Sequence, residues 1–104
     1  MVYTLSKNAQ AIRDIEEAFV YIAEDDLDAA LRFLARVENC IESLTGNPFK
    51  GSNRSFINTR LKDVRLFPVI GSENYLIIYI VDGYHVKILR FINSKRDFKL
   101  VLDL

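Results

Sequence analysis

The run Tyr75-Leu76-Ile77-Ile78-Tyr79-Ile80-Val81-Asp82-Gly83-Tyr84-His85-Val86-Lys87-Ile88-Leu89-Arg90-Phe91-Ile92 decides the fold. Its first seven residues are all apolar. A strand with one wet face alternates, so an unbroken run of this length reads as a central strand covered on both sides. Asp82-Gly83 then reads as a two-residue hairpin turn, since both residues tolerate the positive φ of a type I′ turn. Tyr84 to Ile92 returns as the partner strand.

Working outward, Leu61 to Phe67 reads as a half-buried, basic strand that Pro68 ends. The polar stretch from Phe49 to Thr59 has no core periodicity and reads as a crossing loop. Further upstream lie two amphipathic segments. From Ala9 to about Glu24, Ile12, Ile15, Phe19 and Ile22 recur at helical steps, with Ser6 or Asn8 as N-cap. After Glu24-Asp25-Asp26, where Asp26 can cap, Ala30, Phe33, Leu34, Val37, Ile41 and Leu44 form a second stripe. Thr45-Gly46-Asn47-Pro48 closes it, with Gly46 suited to a left-handed C′ position. So short a link makes the helices antiparallel neighbours. Val2 to Leu5 reads as a short first strand. The expected fold is therefore α+β: a helical hairpin packed on a small, mainly antiparallel sheet of three to four strands. Its order is β-α-α-β-β-β with a short C-terminal tail, and one domain spans residues 1–104.

Half of the 104 residues are apolar, seven of them Phe and five Tyr, which suffices for a core without metal or disulfide staples. The lone cysteine, Cys40, excludes an internal disulfide and any multi-cysteine metal site, and its setting reads as a packed thiol. The start lacks the pattern of a signal peptide, and no apolar run approaches the ~20 residues that span a bilayer. A cytoplasmic protein without membrane contact is expected.

The net charge of zero hides an asymmetry. Residues 1–50 carry five basic and nine acidic side chains, and residues 51–104 carry nine basic and five acidic ones. Such halves fit two surfaces with different partners, or simply helices whose solvated faces collect acids.

Nucleophile elbows, Gly-rich phosphate loops and clustered metal ligands are all absent from the sequence. His85 is the single histidine, either a solvated strand residue or a general acid or base. Lys62, Arg65 and Arg90 fall in strands joined through the central one. Arg90 shares side-chain parity with Val86 and Ile88, which would place a guanidinium on an apolar face. There it either ion-pairs at the core edge or faces a pocket for phosphate or carboxylate. A cationic sheet could engage RNA phosphates, but cleavage also needs an acid and a base close together.

Several segments carry a resemblance: Ala11-Ile12-Arg13-Asp14-Ile15 with Tyr21-Ile22-Ala23, Ala29-Ala30 with Phe33, and Leu44, Asn47-Pro48 and Gly51. Val64 to Val69, Tyr75 to Tyr79 and Ile88 to Asp97 continue it. In this order and spacing the chain resembles the RelE/ParE superfamily of type II toxin–antitoxin toxins, and the closing segment resembles the ParE branch. The resemblance implies a toxin neutralised by a cognate antitoxin, with DNA gyrase as target, operator DNA met only through the antitoxin, and no metal or cofactor. Two positions depart from the ribonuclease branch. Leu76 stands where an arginine usually follows the central-strand Tyr, and Leu102 where a catalytic Tyr would fall. The resemblance thus implies a gyrase poison without catalysis of its own. The alternatives are a ribosome-dependent messenger-RNA endoribonuclease and an inactive antitoxin-binding remnant. It suggests Lys62, Arg65, Arg90, Lys95, Arg96 and Asp97 as target contacts, and Ile15, Phe19, Phe33, Val37, Tyr75 and Tyr79 as antitoxin contacts.

Overall fold

The computed structural model describes residues 3–54 and 64–97. The chain begins with β1 (Thr4–Lys7) and the helical hairpin α1 (Ala9–Ala23) and α2 (Leu27–Gly46). It continues through β2 (Ser52–Arg54), β3 (Val64–Val69), β4 (Ser72–Asp82) and β5 (His85–Asn93). The sheet has five strands in the order β1-β5-β4-β3-β2. It is mixed rather than antiparallel throughout, because β1 pairs with β5 in parallel. The expectation of three to four strands is corrected on two counts. Ser52–Arg54 joins the sheet as an edge strand, and β1 finds its partner across the whole domain.

The caps form as the sequence suggests. Asn8 accepts from the Ala11 amide and Asp26 from the Ala29 amide, each filling an orphan donor of the first turn. The stripe of α1 is rotated from expectation. Ala11, Asp14, Ile15 and Ala18 are buried, while Ile12 is 42% exposed. Small residues on the inner face allow α1 to sit close to its neighbours. The inner face of α2 is the expected one, with Ala30, Phe33, Val37, Ile41 and Leu44 joined by Cys40. Its end differs: Gly46 is the last helical residue, Asn47 caps, and positive φ among the described glycines occurs only at Gly71 and Gly83.

β4 is covered on both faces, as its composition demands. Ile77 and Tyr79 enter the cluster beneath the helices, and Leu76, Ile78 and Ile80 join Val64, Leu66 and Ile92 on the other side. Asp82 pairs with His85, so the turn consists of Gly83-Tyr84, with Gly83 at φ 60°. Pro68 lies within β3 rather than after it, opposite Leu76. A bulge interrupts β5: Ile78 faces Arg90 whereas Tyr79 faces Ile88, leaving Leu89 as the extra residue. The bulge ends the parity of Arg90 with Val86 and Ile88. Beyond it Phe91 takes the helix-side row.

Candidate functional site

Arg90 is occupied by the fold. Its Nε donates to Asp14 Oδ2 at 2.8 Å, and Nη2 donates to Oδ1 at 3.3 Å. Asp14 also accepts the Phe91 amide at 3.0 Å. β1 runs beside β5 only as far as Ile88, so the edge beyond has no strand to receive that amide. The Asp14 carboxylate on α1 stands in for the missing strand. Of the two readings open for Arg90, the core-edge ion pair is the one observed. With its side chain 23% exposed and Asp14 at 6%, it offers little to a target.

Arg65 is occupied as well. Nη1 donates to the carbonyls of Phe49 and Gly51, and the guanidinium lies 5.1 Å from the Phe49 ring centroid. It clamps the segment leaving α2. The same segment is held from inside by Tyr79, whose hydroxyl donates to Pro48 O at 2.8 Å and accepts from Gly51 N at 2.9 Å. Pro48, from the stop after α2, and Gly51 thus meet one buried phenol. Burial raises the Tyr79 pKa above its ordinary 10.0, with the Gly51 amide and Arg65 pulling the other way. The folded state therefore favours the protonated hydroxyl. Its contribution to stability is whole below about pH 10 and is lost as pH rises through the folded-state pKa. Between about pH 9 and 11, the stability of the wild type should fall more steeply than that of Tyr79→Phe in urea titrations. Parallel curves would show that Tyr79 is not the titrating group.

His85 bridges β1 and β5, its Nδ1 meeting Thr4 Oγ1 and its Nε2 meeting Ser6 Oγ. Both ring nitrogens have partners, which favours a structural role over acid–base work. At the end of β5, Asn93 Oδ1 accepts from the amides of Lys95 and Arg96, and Asp97 N donates to Asn93 O. This tight turn presents Arg96, paired with Asp97 at 3.3 Å, as an exposed cation beside exposed Lys95. Lys62 lies outside the described residues. Of the suggested target contacts, the structure thus leaves Lys95, Arg96 and Asp97 together on one exposed turn.

The suggested antitoxin contacts divide in the same way. Ile15, Phe33, Val37 and Tyr79 are buried in the core and present no surface to a partner, because each fills the space between hairpin and sheet. Tyr75 is half-buried, stacked on Phe91 at 5.3 Å and edge-on to Phe33 at 4.9 Å. Phe19 is half-buried on the outer side of the hairpin. There it lines a hollow of about 390 Å³ with Val20 and Leu34. Val20 at its rim is more than half exposed, as are Leu27 and Leu31 elsewhere on the hairpin, and none of the three belongs to the expected core stripes. Among the described residues no group of three or more His, Cys, Asp or Glu is placed to hold a metal ion, and no helix is long and apolar enough to cross a membrane.

A helical hairpin on a five-stranded sheet is also the fold of a solved chain from "Chromosomal ParDE TA system from P. aeruginosa". The two superpose with a TM-score of 0.69 at 17% identity, over 88% of this chain and 96% of that one. No curated protein matches the sequence. The pattern of the family described as ParE toxin of type II toxin-antitoxin system, parDE, matches residues 5–98. The chain belongs to the ParE toxin family.

Proposed function

We propose that the toxin acts by inhibiting DNA gyrase, without catalysis of its own, and that a cognate antitoxin silences it by direct binding. The observation that carries the first part is the employment of the basic sheet. Arg65 and Arg90 are spent on carbonyls and on Asp14, and His85 on two hydroxyls, so these groups form no cluster free to take a substrate. Of the suggested target contacts among the described residues, Lys95 and Arg96 stand on an exposed turn where a protein target can meet them. The second part is supported by the outer hairpin face, where Phe19, Val20 and Leu34 line an apolar hollow and Val20 is more than half exposed. An amphipathic segment of the antitoxin, folding as it binds, would cover it. DNA is then met only through the antitoxin.

Induced expression tests the reading. Filamentation with a DNA-damage response, and inhibited supercoiling by purified gyrase, are expected. Translation arrest with cleaved messenger RNA would assign the ribonuclease mechanism instead, and normal growth would mark an inactive remnant. Val20→Glu should keep its toxicity while co-expressed antitoxin no longer rescues growth. Full rescue would remove the hairpin face as the docking surface.

A further inference from the structure

The turn after β5 leaves no backbone amide to a partner. The Ser94 amide donates to Asn74 O at 2.7 Å, and the amides of Lys95 and Arg96 donate to Asn93 Oδ1 at 3.0 and 3.2 Å. The Asp97 amide donates to Asn93 O at 2.7 Å. Ser94 Oγ adds a second bond to Asn74 O, and the Asn93 amide donates to Asp97 Oδ2 at 3.3 Å. Lys95 and Arg96 are exposed, so water could satisfy their amides. The fold commits a carboxamide to them instead. An Asn side chain that accepts from the amides two and three residues ahead fixes the backbone of a turn.

The turn is also tied to the sheet. Asn74 belongs to the start of β4, and its neighbour Tyr75 pairs with Asn93. Tyr75 is in turn stacked on Phe91 and edge-on to Phe33. The base of the turn thus stands on the aromatic part of the core. A side chain carried on such a base brings little backbone freedom to lose when it meets a partner, which is the advantage of preorganisation.

Arg96 is held one step further. Its Nε and Nη2 donate to the two carboxylate oxygens of Asp97, each at 3.3 Å. The hydrogen bonds to Asp97 raise the Arg96 pKa above the ordinary arginine value. Nη1 has no partner among the described residues. The Arg96 side chain is 61% exposed and that of Asp97 22%, so the acid sits against the turn and the cation stands out from it. An exposed ion pair adds little to stability. Its consequence lies in where it puts the guanidinium.

We infer that Asn93 and Asp97 are positioning residues for a target contact made by Arg96. Asn93 fixes the backbone of the turn and Asp97 fixes the guanidinium. The target supplies a carboxylate to Arg96 Nη1 and the Lys95 ammonium. Charge selects that partner group, because two cations against one internal acid leave the turn positive. The inference rests on the gyrase reading above. It gives Asp97, suggested as a contact, a different part.

The test is a double-mutant cycle read on supercoiling by purified gyrase, as the toxin concentration that half inhibits it. Arg96→Ala should raise that concentration at least about tenfold and Asn93→Ala at least about fivefold, with far-UV circular dichroism unchanged. Because Asn93 acts through Arg96, Asn93→Ala should add less than about twofold in the Arg96→Ala background. Asn93→Asp, whose carboxylate accepts the same two amides, should recover most of what Asn93→Ala loses. A parallel cycle with Asp97→Ala keeps both Asn93 Oδ1 bonds and gives the answer where Asn93→Ala does not fold. Its loss, at least about threefold alone, should likewise vanish beside Arg96→Ala. Single losses that multiply in the double variants would overturn the inference and assign both residues to stability alone. Inhibition by Arg96→Ala at the wild-type level would also overturn it and leave the gyrase reading standing. A wild type that does not inhibit gyrase would overturn both.

Discussion

Replacing Asp14 by Ala is expected to destabilise the protein by about 3–5 kcal/mol, because it strands a partly buried guanidinium. Two further losses fall on the same residue. The Phe91 amide, buried and without a strand partner, loses its acceptor, and α1 loses its polar tie to β5. At about 4–8 °C per kcal/mol for a domain of this size, the melting temperature should fall by roughly 12–40 °C. Arg90→Met should cost less, because Asp14 keeps the Phe91 amide and can be solvated from the vacated side. The double variant Asp14→Leu with Arg90→Met removes both charges and should recover part of the loss of Asp14→Ala, leaving the Phe91 amide as the remaining deficit. Urea titrations with unchanged m values would measure all three. An Asp14→Ala loss under about 1 kcal/mol would mean that the pair is solvated and that α1 is held by packing alone.

The pair bears on function through what it removes from the surface. A guanidinium on an apolar sheet face has the appearance of an anion site in the sequence. Whether it serves a ligand or a helix depends on an acid 76 positions away. No local pattern announces Asp14, which occurs between the exposed Arg13 and the buried Ile15. The rotation of the α1 stripe has a related origin. Large apolar residues suggested Ile12 as inner, but the small Ala11 and Ala18 allow the closer approach, and Asp14 is drawn inward by Arg90 and the open edge of β5.

Elements whose signals are local were the most legible. The unbroken apolar run of β4, the caps at Asn8 and Asp26, and the stripe of α2 each follow from composition and period. The sheet's extent did not, because β1 has a parallel partner 81 positions away and β2 is three polar residues without alternation. The Leu89 bulge was hidden because residues on both sides of it are apolar, so the alternation carries no mark of a slip. Among candidate contacts, burial separates those that fill the core from those that could meet a partner. Phe33 and Val37 were chosen for the stripe that faces the sheet, whereas Val20, Leu27 and Leu31, outside it, face solvent.

Gly51→Ala is the second substitution expected to act strongly, and it is the smallest change that does. A Cβ at residue 51 would overlap Tyr79 Oη, and it would lie 2.9 Å from Cε1 and 3.0 Å from the Leu66 carbonyl oxygen. Tyr79 is fully buried and cannot swing away, and Leu66 O belongs to strand backbone. The segment carrying residue 51 must therefore move. Moving it strains the bonds between Tyr79 Oη and both Pro48 O and Gly51 N, and the Arg65 bond to Gly51 O. Overpacking of this kind costs about 1–3 kcal/mol and each lost hydrogen bond about 1 more, which gives an expected loss of about 2–4 kcal/mol. Tyr79→Phe alone should cost about 1–3 kcal/mol, since it leaves a buried donor and acceptor unpaired. The double variant decides the mechanism. Removing the hydroxyl relieves the nearest clash and leaves no phenol bond to lose, so the double loss should be smaller than the sum of the single ones by at least about 0.5 kcal/mol. Strict additivity in urea titrations would show that the added methyl clashes with the backbone alone. A Gly51→Ala loss below about 0.5 kcal/mol would show that the segment after α2 yields freely and that Tyr79 does not pin it.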